Sequence, residues 1–293
     1  MPAAPASLRA VLLASAARLD RAGVSFGHGT TNSVDEAAWL IANALGLAAS
    51  DLGKHLDRRP TGEELKAVRA LLARRIRTRK PAAYLIHEAW LGPNRFYVDE
   101  RVIVPRSFIA ELLRERPSPM PDKAARVHRA LDLCTGSGCL AILAALAFPG
   151  AQVDASDISH EALAVAKRNI AAYRLGRRVR PVHSDLFERL AGRTYDVIVS
   201  NPPYVKAASM RRLPEEYRKE PVLALAGGTD GLEHTRRILV QAKPHLNPGG
   251  LLVVEIGHNR KALERAFPRL PFAWPQTSAG PGLVFALRRE SLE

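Results

Sequence analysis

From residue 127 onward, short apolar runs of strand type alternate with runs of helical spacing, and no other feature restricts the fold of this chain as severely. The order is "RALDLC", a helix in "LAILAALAF", "AQVDASD", a helix in "EALAVAKRNIAAYRL", "VRPVHSD", then "YDVIVS". A helix near 231–246, the run "GLLVVEI", a short helix and two closing runs, "FAWPQT" and "GLVFALR", complete the series. Strands separated by helices do not pair as tight hairpins; they cross over and lie parallel. The pattern predicts an α/β fold built on a doubly wound, mostly parallel sheet of seven strands.

The first 88 residues read differently, as helices without strands. Leu8, Val11, Leu12, Ser15 and Leu19 keep helical spacing up to Asp20 and Gly23; the Ala-rich composition faintly matches a transit peptide, but the spacing favours an ordinary helix. "SVDEAAWLIANALGL" opens on Ser33 as N-cap and closes at Gly46. In "TGEELKAVRALLARRIRTRK", Thr61 and Glu64 stand as in a capping box, with Leu65, Val68, Leu72 and Ile76 on one face. "AWLGPNRFYVDERVIVPRS" then places two β-type runs around Gly92-Pro93-Asn94, the signature of a hairpin. A short helix over 107–116 and the Pro-rich "RPSPMPDK" follow. The expected division is a helical, substrate-recognising domain (1–88), a hairpin linker (89–105) and a main domain (106–293).

Charge narrows the partners. Lys and Arg number 43 against 29 Asp and Glu, a net +14, which favours nucleic acid, a ribonucleoprotein or another acidic surface. Residues 54–80 hold ten Lys or Arg against three acids, either a solvated helix face or a docking face for such a partner. Cys134 and Cys139 are the only cysteines, so neither a disulfide framework nor a metal site is expected, and a reducing, cytoplasmic setting fits. No apolar run approaches the roughly 18 residues of a membrane span.

The chemistry lies at strand ends. In "LDLCTGSGCLA", Gly136 and Gly138 let the backbone turn sharply and approach a ligand at a helix N-terminus. The spacing Gly136-x-Gly138-x-x-Ala141 also satisfies the dinucleotide fingerprint, which leaves a nicotinamide enzyme open. Asp157, ending the next strand, stands where either cofactor needs an acid for its ribose hydroxyls. Asp185 ends the third strand and Asp132 lies near the end of the first. This set suits S-adenosylmethionine: Asp157 for the ribose, Asp185 near the adenine amino group, and Asp132 with the glycine turn around the methionine end.

The fourth strand ends on "SNPPYV", where two prolines forbid continuation because neither donates to the ladder. Hydride transfer has no use for Asn-Pro-Pro-Tyr; methyl transfer to a planar NH2 does. The lone pair of such a nitrogen is delocalised, and acceptors on its two hydrogens aim it at a methyl carbon. The Asn201 side-chain oxygen and the Pro202 carbonyl are those acceptors, Pro202 and Pro203 preset the turn, and the Tyr204 ring covers the planar group. A glutamine amide and an adenine amino group both meet this description. Adenine in nucleic acid asks for an aromatic-lined pocket and a recognition region, whereas aromatics are 6% of residues and only about 84 residues precede the hairpin. A non-catalytic ribosome-assembly factor is disfavoured by the intact glycine turn and "NPPY".

With "LDLCTGSGCLAI" and "NPPY" in place, the chain resembles the HemK/Prm group of class I methyltransferases, which act on protein glutamine. "FYVDERVIVPRSFIAELL", "LPEEYRKEPVLALAGGTDGLEHTRRIL" and "LVVEIG" resemble its PrmB branch, whose target is a glutamine of ribosomal protein L-three of the large subunit. The resemblance runs from about Tyr84 to the last strand. It implies a Rossmann-like fold, S-adenosylmethionine as cofactor, and that ribosomal protein as partner in a setting that includes rRNA. It also implies a cofactor loop over Cys134, Thr135, Gly136, Ser137 and Gly138, a ribose acid at Asp157, an adenine side at Asp185 and Leu186, and an amide-binding motif over Asn201, Pro202, Pro203 and Tyr204. Asn201 counts toward the cofactor as well, and Pro105 and Arg106 are expected close to it. Two departures stand out: Phe108, where the branch usually has a second proline, and "EIGHNR", where it usually has Gly-Asn-Ser.

Overall fold

The computed structural model describes residues 7–121 and 126–292; the first six residues of the Ala-rich N-terminus and part of the Pro-rich stretch lie outside them. The chain divides into a helical unit, Met1–Ala89 with Leu213–Lys219, and a sheet unit, Trp90–Arg212 with Glu220–Glu293. Residues 213–219 thus belong to the helical unit, although a linear reading assigns them to the main domain.

In the helical unit, α1 (Leu8–Arg21) buries the residues whose spacing defined it. For α2 (Ser33–Ala44) the N-cap is Asn32, one residue before the expected Ser33. The Asn32 carboxamide accepts the Asp35 N–H at 2.9 Å, while Ser33 donates its hydroxyl to Asp20 at 2.9 Å. Asn caps as well as Ser, so residue type alone does not favour Ser33 over the Asn32 before it. The third helix, α3 (Gly62–Thr78), has the expected capping box, with Val68 and Leu72 buried. After Pro81, α4 (Ala82–Ile86) is too short for a periodicity to announce it.

Arg75 of α3 is wholly buried and organises this unit. It donates to Glu36 at 2.8 Å, to Glu216 at 3.1 Å and to the Ser25 carbonyl at 3.0 Å. Glu216 is the reason that residues 213–219 join the helices. Other cations of the basic run are also engaged: Arg58 pairs with Glu64 and Arg79 with Glu216. Arg59, Lys66, Arg69, Arg74 and Arg77 are exposed.

The sheet unit opens with the hairpin strands β1 (Ala89–Leu91) and β2 (Asn94–Phe96). Pairing stops there rather than running on to residue 105, because Asp99 folds the chain back: it accepts the Tyr97 hydroxyl and the Arg101 N–H and guanidinium, and its carbonyl takes the Val102 N–H. Then come α5 (Ile109–Glu115), β3 (Arg129–Leu133), α6 (Cys139–Ala147), β4 (Gln152–Asp157), α7 (His160–Ala172), β5 (Val179–His183) and β6 (Tyr195–Ser200). Beyond the Pro-Pro turn lie α8 (Ala207–Met210), α9 (Glu233–Gln241), β7 (Leu246–Glu255), α10 (Arg260–Ala266) and β8 (Val284–Arg288).

Among the described residues the sheet has six strands in the order β5-β4-β3-β6-β7-β8, with β8 alone antiparallel. The expected seventh, "FAWPQT", is reduced to a single bridge between Ala273 and Ala286. In an antiparallel ladder the next bonded positions on either side of Ala273 are 271 and 275, and both are proline without an N–H. Side chains alternate between two cores: Val197, Val199, Leu251 and Val253 face α5 and α6, while Ile198, Leu252 and Val254 face α9 and α10. From β3 the chain winds outward through β4 and β5, then returns to start the other half at β6. Leu133 lies opposite Ser200 across that switch point, so the carboxyl ends of β3 and β6 open a crevice where such sheets bind ligands.

Candidate active site

The turn after β3 takes left-handed φ at Cys134 (58°), Gly136 (54°) and Gly138 (79°). The two glycines serve different ends. A Cβ on Gly136 would point into open space, as a ligand approach requires, whereas one on Gly138 would lie 3.0 Å from the Ala166 Cβ and 3.2 Å from its Cα. Gly138 therefore lets α6 pack against α7. Asp132 is buried, with one carboxyl oxygen accepting from the Thr135 hydroxyl (2.5 Å) and the Ala141 N–H (2.9 Å), and the other without a partner. Burial, with the Asp157 charge adding to it, pushes its pKa up to about 7. Ser137 is buried and offers its carbonyl to Asn169 of α7 at 2.8 Å.

Asp157 ties β4 to the glycine turn, accepting the Gly136 and Ser159 N–H groups at 2.9 Å each; burial holds its carboxyl above the ordinary value. Asp185 is gripped by Arg237 of α9 at 2.8 Å. Leu186, in a left-handed conformation (φ 48°), is buried beside it. Burial also raises both thiols, that of Cys139 to about 12, which removes them as nucleophiles near neutral pH.

A pocket in the sheet unit gathers Cys134, Gly136, Asp157, Asp185, Leu186, Asn201 and Pro203 from the expected set. Asp132, Thr135, Ser137, Gly138, Pro105, Arg106, Pro202 and Tyr204 do not line it and stand outside its wall. Where Pro105 and Arg106 were expected, Arg101, Val102 and Ile103 form the wall, because Glu220 takes the Arg106 guanidinium. Pro221, Leu223 and Ala224 line another part, along with His234 and Arg237. Sequence reasoning missed these; "EPVLALAGG" was visible as a resembling segment, but nothing local tied it to the crevice.

Asn201 donates its amide N–H to the Arg106 carbonyl at 3.2 Å, which fixes the amide plane and leaves its oxygen as an acceptor on the pocket wall. The Tyr204 hydroxyl donates to Glu255 at 3.3 Å, and its carbonyl accepts from Asn259 at 3.0 Å. Burial and the neighbouring Glu255 carboxyl raise the phenol's pKa. The turn is seated on a glycine-bearing loop: Val205 and Leu225 share a bond, Gly227 donates back to Val205, and a Cβ on Gly227 would lie 2.6 Å from the Tyr204 Cα. A Cβ on Gly257 would meet the Tyr204 ring at 2.8 Å. In the departing segment "EIGHNR", it is Asn259 that holds the Tyr204 carbonyl.

Residues 11–86 match the family model described as PrmC N-terminal domain, and residues 117–215 match Methyltransferase small domain. A ribosomal protein uL3 glutamine methyltransferase of Neisseria meningitidis serogroup B is 54% identical, over 98% of this chain and 94% of that protein. Proteins of the same name from Bordetella pertussis (52% identical, 98% and 96% covered) and Bradyrhizobium diazoefficiens (47%, 95% and 89%) are similar over the same span. Among solved structures, the hMettl16 catalytic domain, solved in complex with MAT2A 3'UTR hairpin 1, aligns over 86% of this chain and 90% of that one with a TM-score of 0.51. At 17% identity that likeness carries the fold alone. Among the described residues no helix is long and apolar enough to cross a membrane.

Proposed function

The chain belongs to the family of ribosomal protein uL3 glutamine methyltransferases, and from that premise we propose that it methylates the side-chain amide nitrogen of a glutamine in uL3, with Asn201–Tyr204 as the turn that holds the amide. The observation that carries the assignment is the orientation of Asn201. One amide N–H is spent on the Arg106 carbonyl, so its oxygen is left on the pocket wall as acceptor for one hydrogen of a planar NH2, and this reading gives the other hydrogen to the neighbouring Pro202 carbonyl. An amide held this way presents its lone pair in one direction, and Pro202 and Pro203 set that direction before substrate arrives.

The crevice fits S-adenosylmethionine, whose bound form supplies an electrophilic methyl carbon on a positively charged sulfur. Asp157 and Asp185 suit ribose and adenine donors, Gly136 leaves room for close approach, and Asp132, behind the wall, braces the turn through Thr135 and Ala141. Arg237 holds the Asp185 carboxylate in place through its 2.8 Å bond. No residue needs to act as base before transfer, since the amide proton leaves afterwards. The setting is the cytoplasm, with rRNA near the substrate, which the net charge of +14 and the exposed cations of α3 support.

The test is to incubate the protein with radiolabelled S-adenosylmethionine and total ribosomal material from cells lacking the enzyme. Label in uL3 is the expected result; label in RNA overturns it in favour of an adenine amino group. Asn201→Ala should lower transfer by about 10²–10³-fold while S-adenosylmethionine still binds.

A further inference from the structure

Two carboxylates of the sheet unit are almost as buried as its apolar core, Glu220 at 3% and Glu255 at 2% exposure, and neither lines the pocket. A charge in that position is costly unless something holds it there, and what each holds is one end of the acceptor turn. Glu220 accepts the Val104 N–H at 2.9 Å and one Arg106 guanidinium nitrogen at 3.0 Å, with the second guanidinium nitrogen on its other oxygen. Arg106 in turn supplies the carbonyl that takes the Asn201 amide N–H. Glu255 accepts the Ser107 hydroxyl at 2.7 Å, the Phe108 N–H at 2.9 Å and the Tyr204 hydroxyl. Both carboxylates therefore grip a single strap, residues 104–108, and through it or directly reach Asn201 at one end of the turn and Tyr204 at the other.

We propose that Glu220 and Glu255 are positioning residues of methyl transfer: Glu220 prevents the Asn201 amide from flipping, and Glu255 fixes the Tyr204 ring over the substrate amide. This rests on the acceptor-turn reading above. A flipped Asn201 would present N–H to the N–H of the substrate, two donors face to face, so a fixed Arg106 carbonyl selects the productive rotamer. At the Tyr204 end the departure at position 108 acquires a reason. Phe108 donates an N–H to Glu255 that a proline there lacks.

The experiment measures S-adenosylmethionine affinity, kcat and KM for uL3, and the unfolding midpoint of the full chain and its variants. Glu220→Gln keeps an acceptor but loses the bidentate charge pair; Glu255→Gln keeps acceptance from Ser107 and Phe108 but turns an NH2 toward Tyr204. Each is expected to lower kcat by about 10–100-fold, as small misplacements of reacting groups do, with cofactor affinity within about threefold of the parent. In a Tyr204→Phe background Glu255→Gln should cost nothing further, since its effect passes through that hydroxyl. If Glu220→Gln fails to fold, Arg106→Lys, which keeps charge but cannot form two parallel bonds, reads the same clamp. Wild-type kcat in the Gln variants while Asn201→Ala abolishes transfer overturns the positioning roles and leaves the acceptor turn standing. Retained transfer in Asn201→Ala overturns the acceptor turn itself, and loss of cofactor binding in step with kcat assigns the carboxylates to the pocket's fold instead.

Discussion

In the helical unit, Glu36 and Glu216 share the guanidinium of Arg75; in the sheet unit, Asp132 and Glu255 are equally buried but receive hydrogen bonds only from neutral groups. The electrostatic results diverge. Burial alone would raise Glu216, yet its hydrogen bonds to backbone and to Arg75 hold it below the ordinary value, and Glu36 rises despite the same arginine. Burial pushes Asp132 and Glu255 up to about 7. A paired cluster is finished within the chain. The two acids without a cation partner lie one beside the crevice proposed for a cationic cofactor and the other beneath the turn proposed to receive substrate, where perturbed groups tend to gather.

The largest break in this contrast comes from removing the shared cation. Arg75→Met strands the buried Glu36 and leaves Glu216 with Arg79 alone, and should destabilise the protein by about 3–5 kcal/mol, read from denaturant unfolding near pH 7. A loss below about 1 kcal/mol would mean that solvent reaches Glu36 and Glu216 easily, contrary to their burial.

Next in size is a pH effect. The Asp132 carboxyl moves from 3.8 when unfolded to about 7 when folded, so the folded protein binds the proton more tightly. The resulting stability is fully present below about pH 3.8 and is lost as pH rises through about 7. Asp132→Asn has no such proton to lose. Relative to the parent it should gain about 4 kcal/mol between roughly pH 4 and pH 8 in the absence of cofactor, measured as parallel unfolding curves. A constant difference across that range would show that Asp132 is not titrating with folding.

These residues also mark how far the sequence could be read. Strand ends were legible because alternation and the local turn chemistry of glycine and proline are properties of a few adjacent residues. Asp157, Asp185 and Asn201 accordingly fall at one crevice. The packing constraint on Gly138 was not legible, because the Cβ of Ala166 comes from another helix. The missing seventh strand was written in Pro271 and Pro275, but only the position of Ala273 in the ladder makes those two prolines decisive. The pairs Glu220 with Arg106, Arg237 with Asp185 and Glu216 with Arg75 are separated by 114, 52 and 141 residues. No local pattern encodes such pairings, and it is they that set the wall of the pocket and the limits of the helical unit.

A smaller effect tests the sheet unit alone. Gly227→Ala places a methyl group 2.6 Å from the Tyr204 Cα and 2.9 Å from the Pro203 carbonyl oxygen, both backbone atoms that cannot rotate away. Overpacking of this kind costs about 1–3 kcal/mol, and here the strain falls on the acceptor turn. Transfer should therefore drop by more than the stability loss accounts for, measured at a temperature where the variant remains folded. Equal activity per folded molecule would separate the loop from the aim of the turn.

The smallest effect returns to the helical unit, at a site where charge is paired in solvent instead of in the core. Thr61 accepts the Glu64 N–H at 3.2 Å, and Glu64 reaches back to the Thr61 N–H at 2.7 Å while it pairs with Arg58. That convergence of donors holds the Glu64 carboxyl at about 2, as low as Asp132 is high. Thr61→Ala removes one cap bond and leaves the reciprocal one, so the expected cost is about 1 kcal/mol, with kcat unchanged. Because Glu64 is near the surface, water replaces what the cap loses, which Arg75→Met does not permit the buried Glu36. A cost for Thr61→Ala approaching that of Arg75→Met would mean that the fold of the helical unit hangs on the start of α3 and not on its buried arginine.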